Sequence, residues 1–203
     1  MKPTTATLLT GLLLITMSAN AEIKPGTHQV GISVGAANPL SYHAVDGERA
    51  EFGSVGPTLG FSYLYQVRPT LSLGADLNFK RLGDKDLRTG QGPVTVESSA
   101  WTLLAIGRGD ILPDSDLRPY GLLGLGLGGV KREIRYSASP RLDRDQTSGG
   151  FAAAVGAGLD FDISASWLAG AELRWNYINT EASEVGTGSV RTLDLQFKAG
   201  YKF

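Results

Sequence analysis

The feature that most constrains this chain is a two-residue alternation that recurs in eight separate stretches. It is cleanest at the end of the sequence. There Leu193, Leu195, Phe197, Ala199, Tyr201 and Phe203 are apolar, while Asp194, Gln196, Lys198, Gly200 and Lys202 between them are polar or glycine. A period of two belongs to an extended strand with two unlike faces, because successive side chains point to opposite sides of a sheet. A chain built from eight such stretches has no room for a helical core. Its fold class is all-β.

Taken in order, the alternation predicts strands over residues 27–36, 55–67, 70–82, 94–111, 120–133, 150–163, 166–178 and 193–203. The third is the most regular: Leu71, Leu73, Ala75, Leu77 and Phe79 oppose Ser72, Gly74, Asp76, Asn78 and Lys80. The fourth is the least regular. Trp101, Leu103 and Ala105 share one face, but Leu104 and Ile106 fall on the other, so a bulge is expected near Ser98. Connections after the second, fourth and sixth strands are short. Those after the first, third, fifth and seventh, at 37–53, 83–93, 134–148 and 179–189, are longer and polar. An up-and-down array with short turns on one rim and long loops on the other is the arrangement of outer-membrane barrels.

Residues 1–21 read as a cleaved signal peptide. Lys2 supplies the positive start, Leu8 to Met17 the apolar stretch, and Ala19-Asn20-Ala21 a small-x-small cleavage site. The barrel domain is therefore expected to be residues 22–203, beginning at Glu22. The apolar stretch is short against the ~20 residues of a spanning helix. The chain has no Cys, which excludes disulfide staples, thiol catalysis and Cys-ligated zinc. Its net charge of −1 gives no electrostatic basis for nucleic-acid binding. No metal constellation, phosphate loop or dinucleotide fingerprint is present, so no cofactor is expected.

The two faces differ in side-chain size. The polar face is mostly Gly, Ser and Ala with a few charges, which suits the concave inside of a narrow barrel. The other carries bulky aliphatics, with aromatics toward strand ends. Tyr63, Tyr65, Trp101, Trp167, Trp175, Tyr177 and Tyr201 are the expected interfacial girdles. The inverted assignment, a soluble periplasmic barrel holding an apolar ligand, would turn the bulky face inward.

With these features the chain resembles the small eight-stranded outer-membrane β-barrels of Gram-negative bacteria, of the OmpA transmembrane-domain, OmpX and opacity-protein type. The resemblance covers the whole mature chain. It is most specific at the last strand, where Phe197, Tyr201 and Phe203 are similar to the signal read by the barrel-assembly machinery. The family's frequent glycine about five residues before the final aromatic is Lys198 here. The resemblance implies a transmembrane up-and-down barrel in the cell outer membrane. It also implies a structural, surface-antigen or adhesion role, a monomeric state, and outer-membrane lipids, lipopolysaccharide and the assembly machinery as partners.

Eight strands enclose a lumen that side chains can fill. The charges expected inside are Asp76, Glu172, Arg174 and Lys198 near mid-barrel, with Arg108, Asp160, Asp162 and Lys202 toward the periplasmic rim. Glu172 and Lys198, set symmetrically about the last loop, are expected to be cross-strand neighbours. Such a network is either structural or the lining of a narrow ion path. Enzyme signals are sparse. His28 is expected low on the first strand, and His43 in the first outer loop near Ser41 and Asp46. Lipid A-modifying barrels use His with Ser at the outer rim, but the His-x-Ser order is absent because position 45 is Val. No catalytic residue is therefore assigned, and the lipid A-modifying enzyme and the narrow channel stand as alternatives. Lys131, Arg132, Arg135, Arg141 and Arg144 gather near the third outer loop with Glu133, Asp143 and Asp145. They form either a solvated surface or a contact for lipopolysaccharide phosphates or a host surface.

Overall fold

A computed structural model describes residues 24–44, 55–89, 92–136, 144–180 and 188–203. The expected signal peptide and the start at Glu22 lie outside the described residues. Eight strands follow one another: β1 (His28–Ala44), β2 (Gly56–Arg68), β3 (Leu71–Thr89), β4 (Gly92–Asp110), β5 (Leu117–Tyr136), β6 (Arg144–Asp162), β7 (Trp167–Thr180) and β8 (Gly188–Lys202). Each pairs antiparallel with its sequence neighbours, and β8 returns to β1 to close the barrel. The fold class is thus the expected one, an eight-stranded up-and-down barrel.

Closure satisfies the backbone. At the seam Gln29 faces Lys202 and Val30 faces Tyr201, and the pairing runs up to Ala44 opposite Gly188. Phe203 extends it: its N–H donates to the His28 carbonyl and its carbonyl accepts from the His28 N–H, both at 2.9 Å. Among the described residues no edge strand is left open, as a barrel in hydrocarbon requires.

Short turns and both described ends share one rim. Gly26 N–H donates to the Gln66 carbonyl beside the turn at 68–70. At the turn after β6, the Ser164 hydroxyl accepts the N–H groups of Ser166 and Trp167. On the opposite rim the strands run further than the alternation predicts. Residues 37–44, 83–89, 92–93, 134–136 and 144–148, expected in loops, continue the ladders of β1, β3, β4, β5 and β6. There the backbone ladder continues although the two-residue alternation does not. The irregularity expected at Ser98 belongs to the opposite strand. Pairing shifts between Arg81 and Asp84 on β3, whereas β4 runs through Ser98 against β5 without a break. Gly83 takes a left-handed backbone, φ 79°, a conformation open to glycine at little cost.

The bulky face points outward. Leu123 is 66% exposed and Phe197 60% exposed, whereas Arg118, Asp160 and Asp194 are wholly buried. This is the inverse of a soluble barrel and excludes the inward-facing apolar assignment. The irregular β4 fits the same rule: Leu104 and Ile106 lie inside, packed with Leu64 and Ala154.

Candidate functional site

The lumen holds most of the chemistry, and alternation delivers each group to it in order along its strand. Toward the rim of the short turns, Asp162 accepts from Arg118 at 2.6 Å and Lys202 at 2.9 Å. Next, Arg108 pairs with both Asp110 and Asp160, and Lys198 pairs with Asp160 at 2.8 Å. Tyr120 stands between these cations. The Arg108 guanidinium carbon lies 3.8 Å and the Lys198 ammonium 4.0 Å from its ring centre. Lys198 donates to the Tyr120 hydroxyl at 2.6 Å, and that hydroxyl donates to Glu172 at 2.8 Å. Gly158 makes room for this ring, since a Cβ there would lie 2.3 Å from the Tyr120 oxygen.

Above this layer Arg174 joins Glu172, 2.6 Å away, to Asp76, 2.5 Å away. Asn78 donates to Asp76 and accepts from Gln196, which accepts from Ser33. One layer higher, Lys80 pairs with Asp194 at 2.5 Å, and Asn176 donates to the same carboxylate at 2.9 Å. The polar ladder then stops. Beyond Lys80 on β3 comes Leu82, beyond Asn176 on β7 comes Ile178, and beyond Thr192 on β8 comes Val190, all with no exposed surface. Ala100, Val130 and Ala152 pack with them. Charge inside is thus compensated layer by layer beneath a layer of buried aliphatic side chains. The void left beside Tyr120 is about 30 Å³, room for one or two waters.

All eight charges selected from the sequence point into the lumen and join this ladder. One expected pairing does not form. Glu172 stands opposite Gln196, and Lys198 opposite Gly170. The centre of symmetry lies one residue earlier than the loop reading placed it, and that moves each partner by two. Lys198 turns instead to Asp160 on the next strand over. The sequence reading also left out Asp110, Arg118 and Tyr120 on β4 and β5, and Lys80 and Asp194. Strand parity was their signal: each lies an even number of residues from a group already placed inside on its strand or in register with one. Arg118 and Tyr120 bracket Pro119, where a turn was expected.

Outside, the aromatics lie at two levels. Trp167 packs edge-on against Tyr201 at 5.0 Å between ring centres, and His28 stacks on Phe203 at 5.5 Å. His28 lies low on β1, at the rim of the short turns, with Tyr63 and Tyr65 around it; its Nδ1 is 2.7 Å from the Tyr63 hydroxyl. At the other end Trp175 stacks on Tyr177, and Trp101 stands in register with Phe79. Trp167 and Tyr177 share β7, ten residues apart; at ~3.3 Å per residue and a tilt near 40°, the two levels are ~25 Å apart. That is the height of an outer-membrane apolar band.

His43 does not lie in the first loop. It belongs to the outer end of β1, paired in register with Ser189, and Ser41 pairs with Arg191. The side chains of Ser41 and His43, and all of Asp46, lie outside the described residues. Of the third-loop charges, Arg141 and Asp143 lie outside them too, as do the side chains of Arg144 and Asp145. Glu133 accepts from Lys131 at 2.6 Å and Arg135 at 2.8 Å. It stands four residues beyond the Trp101–Gly129 register pair, above the aromatic level. Those two hydrogen-bonded cations hold its carboxyl down to about 2. Among the described residues no group of His, Asp and Glu could hold a metal ion.

Comparison with known proteins matches this architecture. No curated protein matches the chain in sequence. Several solved structures share its fold. Ail, the attachment invasion locus protein of Yersinia pestis, is 18% identical, covers 89% of this chain and 100% of its own, and superposes with a TM-score of 0.53. OprG from Pseudomonas aeruginosa is 16% identical, over 90% and 98% of the two chains, with a TM-score of 0.55. The outer membrane protease OmpT from Escherichia coli is 10% identical, over 90% and 100%, with a TM-score of 0.53. Likeness at these identities is a likeness of fold. The family profile of the outer membrane protein β-barrel domain matches residues 7–203, and the chain therefore belongs to that family.

Proposed function

We propose that the protein is exported by its signal peptide, inserts in the outer membrane as a monomer, and serves there as a structural, surface-displaying barrel of the surface-antigen or adhesion kind. The observation that carries this reading is the sealed lumen: compensated ion-pair layers beneath the cap of Leu82, Val130, Ile178 and Val190. An ion path needs a continuous hydrated column, and this interior interrupts it with apolar side chains. A catalytic centre needs a reactive group open to substrate, whereas Lys80, Asp160 and Glu172 are buried and engaged with partners. The fold shared with OmpT carries no chemistry of its own across to this chain. What the barrel offers its surroundings is its outer wall and the strands that project past the membrane. The amphipathic β8, with Phe203 hydrogen-bonded beside it in the seam, is the segment assigned to the assembly machinery.

Two measurements on the full-length chain test this. Expressed in a Gram-negative host, it is expected in the outer-membrane fraction, with heat-modifiable gel migration. Purified and reconstituted in planar bilayers, it is expected to be electrically silent. Recovery as a soluble periplasmic protein, or reproducible single-channel steps, would overturn the reading.

A further inference from the structure

The outer face of the last strand does not say where the strand must stop. Leu193, Leu195, Phe197, Ala199 and Tyr201 are all apolar. A slip of one residue would turn the polar set toward lipid, but a slip of two would not. The backbone ladder is equally indifferent to a two-residue step, because its hydrogen-bond pattern repeats at that interval. Hydrocarbon and hydrogen bonding therefore leave β8 a choice of registers. The barrel closes in one of them, with Ala199 between Ala169 on β7 and Ile32 on β1.

The inner face of β8 does discriminate. Its ladder neighbours are β7 and β1, but its side chains reach past them across the lumen. Asp194 pairs with Lys80 on β3, and Gln196 donates to Asn78 on the same strand. Lys198 pairs with Asp160 on β6 and donates to Tyr120 on β5, and Lys202 pairs with Asp162 on β6. Gly200 fits over Leu168, where a Cβ would lie 3.1 Å from that side chain. From the outer end, β8 thus presents acid, amide, base, glycine, base. It meets a base, an amide, an acid, a leucine and an acid.

Neither neighbouring register keeps this match. A step of two toward the short turns brings Asp194 to the place of Gln196, opposite Glu172 on β7, and sets two carboxylates against each other. The same step brings Lys198 to the place of Gly200, opposite Leu168. A step of two the other way puts Gly200 in the place of Lys198, so Asp160 loses that ammonium. It also carries Lys202 onto Leu168, and Thr192 into the place of Val190 in the aliphatic layer. Like charges directly opposite disfavour a pairing, and a charge left alone in the interior disfavours it more.

We propose that the polar ladder is a register lock for barrel closure. The inner side chains of β8, matched to groups on β3, β5 and β6 that its backbone never meets, select the one two-residue step at which the last strand joins β1. The lock rests on the outer-membrane reading above, since it acts on a barrel closed in lipid, and it gives the buried charges a task beyond filling the lumen.

The full-length chain has no cysteine, so introduced pairs report register without interference. Lys202 N–H donates to the Ser166 carbonyl beside β7. Ala199, three residues away, therefore turns its backbone groups to β1 and faces Ala169 as a closely spaced, non-hydrogen-bonded pair suited to a disulfide. Ala169→Cys with Ala199→Cys reports the native register. Ala169→Cys with Phe197→Cys, or with Tyr201→Cys, reports a slip in either direction. With the lumen unchanged and the protein in the outer membrane of a Gram-negative host, disulfide yield should favour the native pair about tenfold over either slip. Asp194→Asn with Lys198→Gln, which removes the acid and the base of mid-β8, should bring the slipped pairs to within about twofold of the native one. Asp194→Lys alone should deplete the native pair, and adding Lys80→Asp should restore it. This rescue keeps the test if the neutralised variant does not reach the membrane. An inserted neutralised variant that still crosslinks only in the native pair, or Asp194→Lys that Lys80→Asp does not rescue, would overturn the lock. Register would then belong to the backbone and the outer wall, with the outer-membrane reading untouched. An unaltered chain that never enters the outer membrane would sink both.

Discussion

Asp160 shows at residue scale how the lumen is held. It has no exposed surface and is paired with two cations on two other strands, Arg108 and Lys198. A buried charge is tolerable only while compensated, and deleting one partner leaves the other to be desolvated alone, at a cost of ~3–5 kcal/mol. Asp160→Leu takes from Lys198 its carboxylate partner while Arg108 keeps Asp110, whereas Glu172→Leu leaves Arg174 still on Asp76 and Lys198 still on Asp160. Urea unfolding in detergent should therefore show the larger loss for Asp160→Leu. A double-mutant cycle should give coupling above ~1 kcal/mol for Asp160 with Lys198 and much less for Glu172 with Lys198. The reverse ranking would restore the pairing read from the sequence. The difference is instructive: alternation puts both groups on the inner face, but the choice of partner depends on register, and a loop centre misjudged by one residue moves the partner by two. Outside the membrane, Glu133 gives a pH-dependent counterpart. Its carboxyl is lowered from 4.5 to about 2 by hydrogen bonds from Lys131 and Arg135. A lowered acid stabilises the folded form above its unfolded value, so the triad should be intact at neutral pH and loosen as pH falls through 4.5 toward 2. Carboxyl NMR should place the midpoint near 2, and Lys131→Gln should raise it. A wild-type midpoint near 4.5 would mean that the triad does not form in solution.

At the scale of the strand, the periodicity of the membrane-crossing parts was legible because lipid and lumen impose opposite demands on alternate residues. Beyond the upper aromatic level the alternation fades, and sequences such as Asp84-Lys85-Asp86-Leu87-Arg88 read as loop although the ladder of β3 and β4 continues to Thr89 opposite Gly92. Backbone hydrogen bonding leaves no trace in side-chain pattern. The bulge was half legible for the same reason: the break in apolar order drew attention to Ser98, but the inserted residue, near Leu82 and Gly83, lies on the opposite strand, where its mark is a single glycine. β8 carries its own prediction. Phe203 adds two backbone hydrogen bonds to the seam and stacks on His28. At ~1 kcal/mol per net hydrogen bond, deleting it should cost the finished barrel only ~1–2 kcal/mol. If the ring is also read during assembly, Phe203→Ala, which keeps both hydrogen bonds, should lower the outer-membrane level severalfold while the unfolding midpoint of the purified barrel barely moves. Equal losses in level and midpoint would reduce Phe203 to a seam contact.

For the whole molecule the decisive feature is the order of the layers. Ion pairs fill the lower and middle lumen from Arg118–Asp162 up to Lys80–Asp194, and aliphatic side chains close the outer end. The two parts resist permeation in different ways. The apolar layer offers water no hydrogen-bond partners, whereas the ion-pair layers obstruct the lumen with paired side chains that fill most of its space. Their separate roles can be tested by cutting the cap alone. Leu82→Ala with Ile178→Ala opens a cavity at the outer end, and each truncation should cost ~2–5 kcal/mol if the neighbours relax only partly. Unfolding in detergent should therefore move to markedly lower denaturant. Conductance should not appear, because Arg174 still bridges Asp76 and Glu172, and Tyr120 still stands between Arg108 and Lys198. A cap variant that is destabilised yet silent in planar bilayers would locate the electrical seal in the ion-pair layers. Steady single-channel steps from the same variant would place it in the aliphatic cap, and the polar ladder beneath would then be a hydrated path that the cap alone holds shut.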